Sequence, residues 1–180
     1  MALLRVLDAS GTMNHPEIAA GRCAMIPTPI QDYLKDRHIW FESRPHRRAV
    51  AAQRLAASEH VSGNLVAKVV VVRADGQLAM AVLSASQHLD AERLRQVMHA
   101  RQLMLAPEAS TVGRFGPCEA GAEPPLALFG IPIYVDAHLA LQPRILMRAG
   151  THEDAVEIYT DDWLLSERVR IVDGLGVARG

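Results

Sequence analysis

Lys68 lies inside "LVAKVVVV" (65–72), an apolar run long enough for a central strand. Period-two alternation puts it on one face with Val66, Val70 and Val72. A buried, unpaired ammonium is costly, so its head either reaches water along its stem or meets a negative group. A second candidate is the loop "CEAGAEPPLALFG" (118–130). Glu119 brings a carboxylate, and Gly121 brings backbone freedom and neighbouring N–H groups. Pro124 and Pro125 fix the chain and donate nothing. Such a loop can aim amides at a carbonyl or an anion, or it can be a rigid connection between two strands. His152, in "AGTHEDAVEI" (149–158), falls where one strand ends and the next begins. A histidine there is either a hydrogen-bonding group in a pocket or a surface residue. "RPHRR" (44–48), with His46 at its centre, could hold phosphates or form the solvated start of a helix. Cys118 has no partner base marked in the sequence, so the small buried residue is favoured over the nucleophile.

Much chemistry is missing. There is no G-x-S-x-G, H-E-x-x-H, Walker loop or C-x-x-C, and the eight histidines show no ligand spacing. "GLGVARG" at the C-terminus matches a dinucleotide fingerprint only loosely, with no helix to follow. No metal and no cofactor are expected. An enzyme built from these residues works by positioning and backbone electrostatics.

The 180 residues suffice for one domain with a core, at 49% hydrophobic and 22% charged. A formal net charge of −1 argues against coating long nucleic acids by charge, though not against recognising one nucleic-acid end. Two cysteines are too few for a disulfide scaffold and fit a reducing cytoplasm. No apolar run approaches the roughly 18 residues of a membrane helix, and residues 1–24 do not form a convincing signal peptide. The expectation is a soluble, cytoplasmic protein that does not engage a membrane.

The elements that must position these residues follow from pattern. Residues 1–24 form an N-terminal extension, 25–174 the organised domain and 175–180 a C-terminal tail. Thr28 is expected to cap a helix with Pro29 in its first turn. "HIWFES" reads as a strand and "HRRAVAAQRLAASEH" as a helix. Asp75-Gly76 joins two β-rich runs in a hairpin. Asp90 caps a helix to about His99, "QLML" is a strand, and Pro107 opens a short helix. "IPIYVD", "RILMRAG" and "DAVEIYT" are strands, with short helices near His138 and at "DDWLLSE". Strands cluster while helices are inserted irregularly, which predicts an α+β domain.

Taken in order, "HRRAVAAQRLA", the lysine within its valine strand, "PCEAGAEPPLALFGIPIYVD" and "RILMRAGTHEDAVEI" resemble the YbaK / prolyl-tRNA-synthetase-associated domain family. The resemblance spans about residues 25–172. It implies a mixed sheet curved into an open barrel and flanked by helices. It also implies a free-standing deacylase that removes the amino acid from misacylated tRNA. The implied partners are the 3′ aminoacyl-adenosine end of mischarged tRNA and an aminoacyl-tRNA synthetase. By the same resemblance the Gly-x-x-x-Pro loop, Gly121 to Pro125, lines the aminoacyl pocket. Lys68 lies near the terminal adenosine's phosphate, and His152 borders the pocket. Lys68, Gly121 and His152 are thus the catalytic candidates, with Glu119, Ala122, Pro124, Pro125 and His46 as substrate-binding candidates. One departure stands out: Leu126 and Ala127 occupy the place of the family's usual Phe-Gly, so exchanging them is expected to alter substrate preference. A non-catalytic module holding aminoacyl-tRNA or a partner protein, and a hydrolase of another small ester, are the alternatives.

Overall fold

The computed structural model describes residues 25–107, 110–111 and 113–178. The N-terminal extension, and part of the helix expected after Pro107, lie outside the described residues.

The architecture is mixed α+β, and the described residues form no closed barrel. In chain order the elements are α1 (Thr28–Asp36), β1 (Phe41–Pro45), α2 (Ala52–Ser58), β2 (Ala67–Ala74) and β3 (Gln77–Ser84). There follow β4 (Gln87–Leu89), α3 (Ala91–Val97), β5 (Leu103–Leu105), β6 (Ile133–Asp136) and α4 (Ala137–Ala140). The chain closes with β7 (Arg144–Arg148), β8 (Asp154–Tyr159), α5 (Thr160–Ser166), β9 (Val169–Val172) and β10 (Gly176–Ala178).

The largest sheet runs β5-β2-β3-β6-β9. Its β5-β2-β3 part is antiparallel, whereas β3-β6 and β6-β9 are parallel. A second, antiparallel sheet has the order β1-β8-β7, and β10 pairs with β4 in a third. An isolated parallel bridge from Val66 to Leu146 links the first two sheets just before β2. It sets the start of β2, where Lys68 sits, against the end of the smaller sheet.

The hairpin follows its sequence signal. Asp75 and Gly76 both take positive φ, 46° and 87°, as the tight turn between right-twisted strands requires. Asp75 also accepts the amides of Arg101 and Gln102, fixing the entry to β5.

The main core lies between the two larger sheets and α1, around Ile30, Leu34, Met80, Val135, Met147 and Trp163. A separate cluster under α3 joins Leu94 to Val72, Tyr134 and Leu175. Burying a Leu- or Val-sized side chain contributes about 1.5–3 kcal/mol, so these layers, not helix propensity, hold the short helices in place.

Three local expectations are corrected. Thr28 is the first helical residue, not the cap: Pro27 holds that place, with no side-chain cap bond. The helix expected from His46 begins only at Ala52, because the chain before it is drawn into pairing. His46 N–H donates to the Glu153 carbonyl at 2.8 Å, and Ala49 N–H to that of His152 at 2.9 Å. Sequence pattern does not mark strands β4, β9 and β10, because each is only three or four residues long and lacks a clear alternation. Among the described residues no helix is long and apolar enough to cross a membrane.

Candidate functional site

Lys68, Gly121 and His152 come from β2, the proline loop and the β7–β8 turn, and they line one cavity of about 290 Å³. Glu123 and Arg148 line it with them, and Ala67, Val69 and Ala85 supply apolar wall.

The turn between β7 and β8 organises the wall. Gly150 has φ of 97°, and a Cβ there would come within 2.6 Å of Ile30 Cδ1 on α1. Only glycine suits both demands. Its carbonyl accepts from Glu119 N–H at 2.8 Å, and its own N–H donates to the Ala122 carbonyl at 3.0 Å. The proline loop is thereby fastened to the turn edge to edge. Gly121, at φ 78°, carries the loop past the cavity in a conformation that disfavours other residues. Trp163, fully buried on α5, donates Nε1–H to the Pro125 carbonyl at 3.0 Å. A proline's carbonyl can still accept where its nitrogen cannot donate, which is how this apolar loop is held without a strand.

His152 is fixed from every side. Its backbone N–H donates to Glu119 Oε2 at 2.7 Å. Its Nδ1 lies 3.0 Å from Arg148 Nη1, and its Nε2 3.0 Å from the Ala120 carbonyl. A guanidinium only donates and a carbonyl only accepts. The ring is therefore the neutral tautomer with its proton on Nε2. Burial, and then the adjacent Arg148 cation, hold its pKa below the ordinary histidine value. Both ring nitrogens are thus engaged, so His152 shapes the cavity and is not poised as a proton acceptor.

Arg148 is 7% exposed. Besides His152 it donates through Nη2 to the Val50 carbonyl at 2.6 Å, tying the segment before α2 to the cavity. Burial lowers its proton affinity, opposed by the negative charges of Glu123 and then Glu119. Lys68 Nζ donates to the Gln87 carbonyl at β4. The structure thus shows a partly buried lysine whose head has a backbone acceptor and whose side chain lines a cavity.

The other candidates stand behind this wall. Glu119 fixes His152 and also meets Arg48, Oε1 to Nη1 at 3.3 Å, in an exposed pair. Backbone donation from His152 holds its carboxyl below the usual range. Ala122, Pro124 and Pro125 are buried and brace the loop without lining the cavity. His46 is engaged with the Arg47 carbonyl through Nδ1 at 2.7 Å and does not line it either. "RPHRR" is no single phosphate cradle: Arg44 turns to Glu157 at 2.6 Å, on β8, while Arg48 turns to Glu119. The Cys118 thiol is pushed up to about 12, chiefly by burial and then by Glu123, which keeps it protonated and unreactive.

Leu126 and Ala127 also depart from expectation. Leu126 is fully buried in the main core, and Ala127 opens a 3-10 turn with its N–H on Glu167 Oε2 at 2.5 Å. Neither lines the cavity. Leu126→Phe is therefore expected to overpack the core, costing about 1–3 kcal/mol. A melting curve should fall while the ranking of substrates stays; a changed ranking with an unchanged melting temperature would refute this placement.

Glu123 and Arg148 were missed by sequence reasoning. Each occupies an ordinary place in its segment, and only burial beside the cavity marks it out.

The fold is shared with known structures. A hypothetical protein, APE2540, superposes with a TM-score of 0.74 at 16% identity, covering 82% of this chain and 99% of that one. A protein described as a candidate trans-editing enzyme for prolyl tRNA synthetase gives 0.71 at 16% identity, covering 88% and 100%. No curated protein sequence matches the chain. The model of the aminoacyl-tRNA editing domain matches residues 46–165, which contain Lys68, the proline loop, Arg148 and His152. By that match, over more than half its length, the chain belongs to the aminoacyl-tRNA editing domain family.

Proposed function

We propose that the protein hydrolyses the ester joining a wrong amino acid to the 3′-terminal ribose of tRNA, acting as a free-standing editing domain in the cytoplasm. The observation that carries this reading is the convergence of Lys68, Gly121 and His152 on one cavity, with a volume that suits a small aminoacyl group and its ester. Lys68 holds the phosphate beside the ester. Backbone amides near Gly121 stabilise the developing oxyanion or fix the attacking water. His152, with both nitrogens engaged, keeps the wall in place. Because His152, the histidine that lines the cavity among the described residues, has both nitrogens engaged, proton transfer falls to a neighbouring ribose hydroxyl or to water. The ester is already activated, so positioning and electrostatics suffice. The partner is mischarged tRNA, with a synthetase as the natural source of the error.

A deacylation screen over a panel of mischarged tRNAs tests the reading: one or a few should be cleaved well above the spontaneous rate. The same engagement of His152 favours a second reading, a module that holds the charged end intact. Binding without turnover would select it.

Hydrolysis should survive a strong chelator. Among the described residues no three histidine, cysteine or carboxylate side chains are grouped as a metal would need. Activity that vanishes with chelation and returns on adding zinc would overturn the mechanism.

A further inference from the structure

Glu123 is the one carboxylate among the described residues that line the cavity. It is 8% exposed, two residues beyond Gly121, and it lines the cavity with Arg148, whose guanidinium feels its charge. Among the described residues the cavity therefore brings together two cations, Lys68 and Arg148, and one anion. An aminoacyl ester presents three features to such a site: a phosphate on the adenosine side, a carbonyl at the centre, and an α-ammonium next to the carbonyl. Lys68 suits the phosphate and the peptide units near Gly121 suit the carbonyl. An ammonium entering a partly desolvated space with two cations is repelled unless an anion meets it. A carboxylate has about four acceptor positions, so Glu123 can take a substrate donor in addition to the protein groups it already meets.

We propose that Glu123 receives the α-ammonium of the aminoacyl group, making it a substrate-binding residue that selects acyl groups with a free amine. The assignment rests on the reading of this cavity as an aminoacyl-ester site. It gives the bulk of the loop's sequence a purpose: Gly121 allows the approach, the prolines hold the backbone, and Glu123 is set between them.

The test uses the full chain and two analogues of the charged end. In both, a 3′-amide replaces the ester on adenosine 5′-monophosphate, so neither is hydrolysed. One carries alanyl and the other lactyl, which exchanges the ammonium for a hydroxyl of similar size. Calorimetry should show the alanyl analogue binding about tenfold or more tightly, the scale of a contact to a charged group. In Glu123→Gln the ratio should fall towards one, and in Glu123→Asp a preference should persist. Equal affinities in the native protein, or a preference unchanged in Glu123→Gln, overturn the proposal. Should Glu123→Gln fail to fold, the native ratio still decides. Ester turnover is measured beside it. Preference without turnover supports Glu123 and defeats the hydrolase reading; turnover without preference does the reverse. No binding of either analogue overturns both.

Discussion

Replacing Lys68 with alanine should lower kcat/KM for a mischarged tRNA about ten- to hundredfold, the equivalent of losing one charge-assisted contact of about 1.5–3 kcal/mol. Two roles meet in this side chain. Its ammonium donates to the Gln87 carbonyl, and it lines the cavity together with Gly121 and His152. Alanine therefore costs stability as well: a carbonyl at β4 loses its donor, which is worth about 1 kcal/mol. The two losses separate by choice of variant. Lys68→Gln can still donate to Gln87 but carries no charge, so it should melt close to the native protein while hydrolysing as poorly as alanine. Lys68→Arg keeps the charge, but a planar fork does not replace a compact ammonium in a confined site. If Lys68→Gln keeps native kcat/KM, Lys68 is scaffold and the phosphate-binding role is withdrawn.

How Lys68, Gly121 and His152 could be singled out from sequence, while Arg148 and Glu123 could not, is a matter of range. A lysine in a valine run violates a local pattern, and so does a double proline in an apolar stretch; both anomalies are visible within ten residues. The Asp75-Gly76 hairpin is legible for the same reason, since its turn conformation is dictated by the two residues that make it. Arg148 and Glu123 obey local expectation. An arginine at a strand end is ordinary, and so is a glutamate in a loop, until the fold buries them to 7% and 8% exposure beside one cavity. Distant pairing also overrode local signal in the segment 46–50. Its residues favour a helix, yet hydrogen bonds to the 152–153 turn hold it out of the helix and shorten α2 to seven residues. The short strands β4 and β10 exist only as each other's partner, and neither alone carries a readable period.

Arg148→Met should be the most destabilising single change at the site. The guanidinium is buried, bonded to the Val50 carbonyl and to His152 Nδ1, and set against the charge of Glu123. Methionine fills similar space but leaves two buried acceptors, the Val50 carbonyl and His152 Nδ1, without their donor, a loss of about 1–3 kcal/mol for each. Stability alone would not distinguish this residue from any other buried arginine. The pH dependence does. In the native protein His152 has its pKa held below the ordinary 6.5, first by burial and then by Arg148. Below that ordinary value the unfolded chain takes up a proton that the folded chain refuses, so the unfolded state binds more protons. Stability therefore rises with pH there and is lost as pH falls through the folded pKa. Removing Arg148 removes the second cause and leaves the first, so the acid loss from His152 should be smaller in the variant, and not abolished. Arg148→Lys keeps the cation but cannot bridge Val50 and His152 with a fork. It should melt between the two and retain more of the acid slope than methionine does. Melting curves from pH 8 to pH 5 on all three proteins decide the matter. A methionine variant with native stability and an unchanged acid slope would mean that Arg148 neither holds His152 in its tautomer nor ties the wall of the cavity together.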